Sequence, residues 1–173
     1  MEQRSAKQKI ISYTAAKRIA AMHRRHGQTV VFKSGCFDVV HIAHARMLAA
    51  AKKFADVLVV GIGSDKTLRG LKGPGRPIFH ERDRAEMVAS LACVDYVVIL
   101  KEPLVGRIDH EKIISLIRPT YYFLPPDDKA LLEKRALAKK YGVTLKLKKQ
   151  LRSRYTGEEF SSSAIIERVQ ALG

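Results

Sequence analysis

Apolar residues in this chain come in short β-branched or aromatic runs, separated by longer stretches in which they recur every three or four positions. The runs Thr29 to Phe32, Asp56 to Gly61, Tyr96 to Leu100, Tyr121 to Leu124 and Val143 to Leu147 predict five strands. Helical spacing predicts helices from Thr14 to His26, Val40 to Phe54, Glu81 to Leu91, Asp109 to Ile117 and Asp128 to Tyr141, with a last one from Ser162 to the C-terminus. Gly27 supplies a stop signal for the first. Strands that are apolar along most of their length and alternate with helices are buried on both faces. The pattern therefore predicts a doubly wound, Rossmann-like α/β fold with a five-stranded parallel sheet, helices on both faces and right-handed crossovers. Ligands of such folds gather outside the carboxyl ends of the strands, here the loops after Phe32, Gly61, Leu100 and Leu124.

A length of 173 residues, 46% of them apolar, fits one domain with a real core. Within a single domain over 1–173, residues 1–27 read as an N-terminal helical extension and 161–173 as a C-terminal helix. Residues 66–79 read as a mobile, basic, glycine-punctuated loop. No apolar run approaches the roughly 18 residues of a membrane helix. The two cysteines, Cys36 and Cys93, lack zinc or dithiol spacing, so the expectation is a soluble, cytoplasmic protein.

Charge changes the picture further. With 32 Lys and Arg against 17 Asp and Glu, the net charge is +15, which implies frequent encounters with polyanions. From Lys129 to Arg154 ten basic residues face the single acid Glu133. That stretch reads either as a solvated face or as an anion patch able to bind nucleic acid weakly.

The chemistry concentrates between the first sheet strand and its helix, in Gly35-Cys36-Phe37-Asp38 and the following His41 and His44. Gly35 permits close approach of backbone to ligand. Histidines three apart at a helix start share one face, beside free N–H groups and the positive end of the helix dipole. Such a place suits a triphosphate whose α-phosphorus is attacked, because fixed donors stabilise the charge that builds on its oxygens. Asp38 is placed to help hold an Mg²⁺ carried by the nucleotide. Lys66, Arg69, Lys72 and Arg76 form a phosphate clamp, joined by Arg84. Ser161, Ser162 and Ser163 at a helix start offer hydroxyls and N–H groups to the β- and γ-phosphates from the opposite side. A zinc-protease helix would need histidines four apart with an intervening Glu. A dinucleotide fingerprint would need a glycine where Lys66 stands after Gly61 and Gly63. Both are excluded.

These residues resemble the cytidylyltransferase-like nucleotidyltransferases, whose first motif is Gly-x-Phe-Asp followed by His-x-Gly-His and whose last is a serine-rich helix start. Within them the chain is most similar to the sugar-phosphate adenylyltransferase domain of bifunctional heptose enzymes. The shared segments include Lys33 to Asp38, Leu71 to Pro77, Asp83-Arg84 and Val94 to Tyr96, and the likeness resumes at Ser161. The resemblance implies that His41, His44 and Lys72 stabilise the transferring phosphoryl group and that Ser162 and Ser163 hold the pyrophosphate portion. It also implies that Mg²⁺ accompanies ATP or CTP, and that the chain forms homodimers.

Two departures carry expectations of their own. Ala43 replaces the glycine between the histidines, which predicts reduced nucleotide binding. Phe123-Leu-Pro-Pro-Asp-Asp-Lys129 replaces a Lys-Gly-Gly-Asp-Tyr segment, which moves Asp127 to the acceptor edge and leaves the identity of base and acceptor open. The leading function is transfer of AMP or CMP to a small phosphorylated acceptor such as a sugar or polyol phosphate. The alternative is a catalytically weakened nucleotide-binding protein that holds RNA through its basic C-terminal half.

Overall fold

The structure is a computed structural model that describes residues 4–149, 155, 157 and 161–172. Strands β1 (Val30–Gly35), β2 (Val57–Gly63), β3 (Tyr96–Leu100), β4 (Tyr121–Leu124) and β5 (Thr144–Leu147) form one parallel sheet in the order β3-β2-β1-β4-β5. The chain winds outward from β1 to β3, then returns to lay β4 on the other side of β1. Between β1 and β4 lies the point where the order reverses, and with it the crevice that this architecture offers to ligands.

Alternation along the strands divides the core in two. Val30 and Phe32 of β1, with Val57, Val59, Val98 and Tyr122, pack against α2 (Tyr13–Arg25), α6 (Glu111–Ile117) and α7 (Leu131–Tyr141). Val31, Leu58, Val60 and Phe123 face the other way, onto α3 (Ile42–Lys52) and α5 (Glu81–Ala89). Every residue of β2 is buried, as expected of a strand covered on both faces. Full burial of one Leu or Ile contributes about 2 kcal/mol relative to exposure, so these two layers dominate the stability of the fold.

The remaining helices are α1 (Ala6–Lys9), α4 (Asp65–Lys72) and α8 (Ser162–Gln170). The short α1 falls in a polar stretch whose pattern gave no sign of it; a Ser5 capping box closes its first turn. Helix α4 corrects the expectation of a loop beginning at Lys66. Ser64 caps it by accepting from the N–H of Thr67 at 3.1 Å, and Leu68 is fully buried beneath it. Gly73 then ends it with φ 87°, a conformation only glycine adopts without strain. Strands β1 and β2 run further than their apolar cores suggest, to Gly35 and Gly63, because their last backbone groups still pair with each other's neighbours. No helix among the described residues is long and apolar enough to cross a membrane. Arg152 and Arg154 of the basic stretch lie outside the described residues.

Candidate active site

The loop from β1 to α3 is shaped by Phe37. Its backbone lies in the left-handed region at φ 50°, and its ring folds back over Gly35, where a Cβ would come within 2.8 Å of the ring carbons. The same ring packs on His44 with centroids 5.2 Å apart. The loop's own packing therefore favours glycine at position 35.

His41 is the N-cap of α3 and His44 lies one turn in, with the two rings 4.0 Å apart. The His41 N–H donates to His44 Nδ1 at 3.3 Å, so the neutral His44 ring carries its proton on Nε2. Desolvation, reinforced by the charges of His41 and Lys33, pushes the His44 pKa down to about 3, and desolvation lowers His41 as well. At neutral pH His44 is therefore uncharged, beside the N-terminus of α3.

A cleft of about 250 Å³ collects most of the residues expected around a triphosphate. Cys36, Phe37, His41 and His44 line it together with Ser161, Ser162 and Ser163, and with Lys72 and Arg76. Ser161 caps α8 by accepting from the Ala164 N–H, leaving the next two hydroxyls on its first turn.

Several expected ligands do other work. Asp38 is buried, and both its oxygens are engaged: Oδ1 accepts from the N–H groups of Ile78 and Phe79 at 2.7 and 3.2 Å, and Oδ2 pairs with Arg76 Nε at 2.5 Å. Among the described residues it is the one carboxylate lining this cleft, and the expectation that it helps hold Mg²⁺ meets a side chain whose two oxygens already anchor the segment after α4. Arg76 reaches the cleft, though as Asp38's partner. Arg84 is 1% exposed. It donates to the carbonyls of Phe79 and Gly63 at 3.0 and 2.8 Å, to the Cys36 carbonyl, and to Asp65 Oδ1 at 2.9 Å. A guanidinium so occupied cross-links the loops after β1 and β2 and has no room for a phosphate. Lys66 and Arg69 are exposed on α4 outside the cleft, and Asp127 is exposed in the turn after β4. The neighbour of Asp127, Asp128, is the residue that turns inward.

That inward turn belongs to a second cleft of about 350 Å³ at the β1/β4 junction, which shares Gly35, Cys36 and Lys72 with the β1–α3 loop and α4. Sequence reasoning missed it. Lys33 enters from β1, Asp128 and Lys134 from the start of α7, held together by an ion pair of 2.8 Å. At its base runs a buried chain of hydrogen bonds: Asp109 to His110 Nδ1 at 2.9 Å, His110 Nε2 to the Tyr122 hydroxyl at 2.6 Å, and that hydroxyl to Ser34 Oγ at 3.1 Å. A lysine closing an otherwise apolar strand was the available signal. A larger cavity, about 760 Å³, lies between α6 and α7 with a mainly apolar wall including Ile108 and Leu137, and its lining includes none of His41, His44 and Ser161 to Ser163.

The cytidylyltransferase-like family model matches residues 32–168. Among curated proteins, the bifunctional protein HldE of Helicobacter pylori (strain Shi470) is 39% identical over 147 residues, 84% of this chain. HldE of Syntrophotalea carbinolica is 43% identical over 103 residues, 58% of this chain. The chain spans only 28% and 20% of the length of these relatives. Among solved structures, the lipopolysaccharide core biosynthesis protein of Thermoplasma volcanium is 28% identical with a TM-score of 0.59, over 73% of this chain and 99% of that one. Pantoate-beta-alanine ligase of Francisella tularensis shares the fold at a TM-score of 0.65 and 16% identity, over 91% of this chain and 72% of its own. The histidine loop at the end of β1 and the serine turn of α8 both fall within the matched span, and the chain belongs to the cytidylyltransferase-like family of nucleotidyltransferases.

Proposed function

We propose that the chain transfers AMP or CMP from ATP or CTP to a small phosphorylated acceptor, a sugar or polyol phosphate, and releases pyrophosphate. The observation that carries this reading is that Ser161 to Ser163 line the same cleft as His41 and His44, with Lys72 common to that cleft and to the one beside it. An oxygen of the acceptor phosphate attacks the α-phosphorus in line. The bond from that phosphorus to the bridging oxygen breaks, and the electron pair leaves with pyrophosphate. The nucleophile is already anionic, so alignment and charge stabilisation matter more than a general base. His44 Nε2–H and the first-turn N–H groups of α3 stabilise the oxygens that gain charge, while the α8 serines hold the departing phosphates. Lys72 bridges both partners. Magnesium arrives as part of the metal–nucleotide substrate, since Asp38 offers it no free oxygen.

Pyrophosphate release is to be followed with Mg²⁺, ATP or CTP, and pooled sugar, polyol and aminoalcohol phosphates, beside a His44→Ala control. Release that needs one acceptor and collapses in the control supports transfer. Nucleotide binding without release from any pool overturns it in favour of the binding-protein reading.

A further inference from the structure

We propose that Lys33 and Lys134, which line the cleft at the β1/β4 junction beside Asp128, form the subsite that holds the phosphate of the acceptor. The inference rests on the transferase reading and locates its second substrate.

Charge in this cleft is unbalanced. Lys33, Lys72, Arg107, Lys129 and Lys134 line it against two carboxylates, Asp109 and Asp128. Asp109 is already committed to His110 at 2.9 Å. Asp128 is left as the counterion for the inner pair, and it lies 2.8 Å from Lys134, whose side chain is 10% exposed. Lys33 finds the carbonyl of its neighbour Ser34 at 3.2 Å. Desolvation, then repulsion from Lys134, pushes its pKa down to about 8, with Asp128 opposing the shift. Two ammonium groups in one partly buried cleft, with Asp128 paired to Lys134 and Lys33 bonded to a neutral carbonyl, is an unfavourable arrangement that a dianion would relieve.

Position and size agree with charge. A volume of about 350 Å³ lies within the range of small-ligand sites. The cleft meets the nucleotide cleft at Cys36 and Lys72, so a phosphate seated between Lys33 and Lys134 has a path to the α-phosphorus past a shared cation. Lys33 comes from β1, Lys134 from α7 and Asp128 from the turn between β4 and α7, on the two sides of the switch point, and none belongs to the exposed cations of α4 expected to clamp the acceptor. The phosphomonoester dianion is the chemical class this geometry fits.

The probe is inorganic phosphate, titrated calorimetrically into the full chain saturated with Mg²⁺ and the α,β-methylene analogue of ATP or CTP, whichever binds. Lys33→Gln and Lys134→Gln are each expected to weaken phosphate binding by about tenfold or more, with analogue affinity changed less than about threefold. Asp128→Asn keeps the oxygen that accepts from the Ala130 N–H and removes the competing charge, so it is expected to tighten phosphate binding about threefold. Opposite signs separate this outcome from misfolding, which weakens all three. Phosphate affinity unchanged in both lysine variants overturns the proposal, as does an equal loss of analogue affinity. If the wild-type chain binds phosphate with this lysine dependence but neither analogue, the subsite stands and the transferase reading falls.

Discussion

Ser162 Oγ donates to the carbonyl oxygen of Val39 at 2.9 Å, joining the first turn of the last helix to the loop that carries His41. These two segments lining the nucleotide cleft are thus in direct contact although 123 positions separate them in the chain. Removing this bond frees α8 to swing from the pyrophosphate side. Ser162→Ala is expected to raise the nucleotide KM by about fivefold, the equivalent of one lost neutral hydrogen bond, with a smaller effect on acceptor KM. Steady-state pyrophosphate release with each substrate varied in turn measures both.

Arg84 stabilises the loops rather than touching phosphate. Arg84→Met keeps much of the volume and strands four acceptors, three of them backbone carbonyls or near-buried groups. The expected loss is about 3 kcal/mol or more. Urea denaturation should show it as a lowered midpoint at unchanged slope, in the absence of any nucleotide.

His44 gives the fold a defined response to acid. Its folded pKa is depressed to about 3, below the ordinary histidine value of 6.5, so between those limits the unfolded chain binds more protons than the folded one. Stability therefore falls as pH drops from 6.5 toward 3 and is unaffected by this group above 6.5. His44→Gln should remove a slope of about 1 kcal/mol per pH unit between pH 6 and 5. Melting temperatures of both proteins across that window test it; parallel curves would contradict the assignment.

Tyr122 occupies the middle of the chain from Asp109 to Ser34, and burial holds its hydroxyl protonated. Tyr122→Phe leaves His110 Nε2 and Ser34 Oγ without that partner. A stability loss of about 1 to 3 kcal/mol is expected, together with a larger rise in acceptor KM than in nucleotide KM. Comparing the two KM values separates a role in the acceptor cleft from general destabilisation.

Ala43 is fully buried and lines a small cavity with Lys33, Met47 and Pro125, not the cleft shared by the histidines and serines. That cavity also takes in Gly35, Cys36, Phe37 and His44, so the expected effect of the methyl on nucleotide binding would act behind the histidine loop rather than in the cleft with the serines. Ala43→Gly should cost about 1 kcal/mol of stability through backbone entropy and change nucleotide affinity less than threefold. Thermal melting and nucleotide titration together decide it.

The sheet was legible because β1, β2 and β3 are apolar nearly throughout, and burial on both faces leaves no other reading. The histidine loop and serine turn were legible because their spacing carries chemistry locally. Helix α4 was not, since Gly70, Gly73, Pro74 and Gly75 signal a loop while the burial of Thr67 and Leu68 that decides for a helix is tertiary. The partners of Asp38, Arg76 and Arg84 were not legible for the same reason. A charge beside a phosphate loop looks like a ligand contact until its partner, 38 positions away in the case of Asp38 and Arg76, is known. Lys33, Asp128 and Lys134 meet only when β4 returns to β1.

That return has an evolutionary consequence. The residues proposed to handle the nucleotide come from the β1–α3 loop, α4 and the start of α8, while those proposed to meet the acceptor come chiefly from Arg107 to Lys134. A lineage with this strand order can exchange the turn after β4 and the first turn of α7, and so change what receives the nucleotide, while the transferring half stays intact. The replaced segment Phe123 to Lys129 sits where such drift leaves its mark.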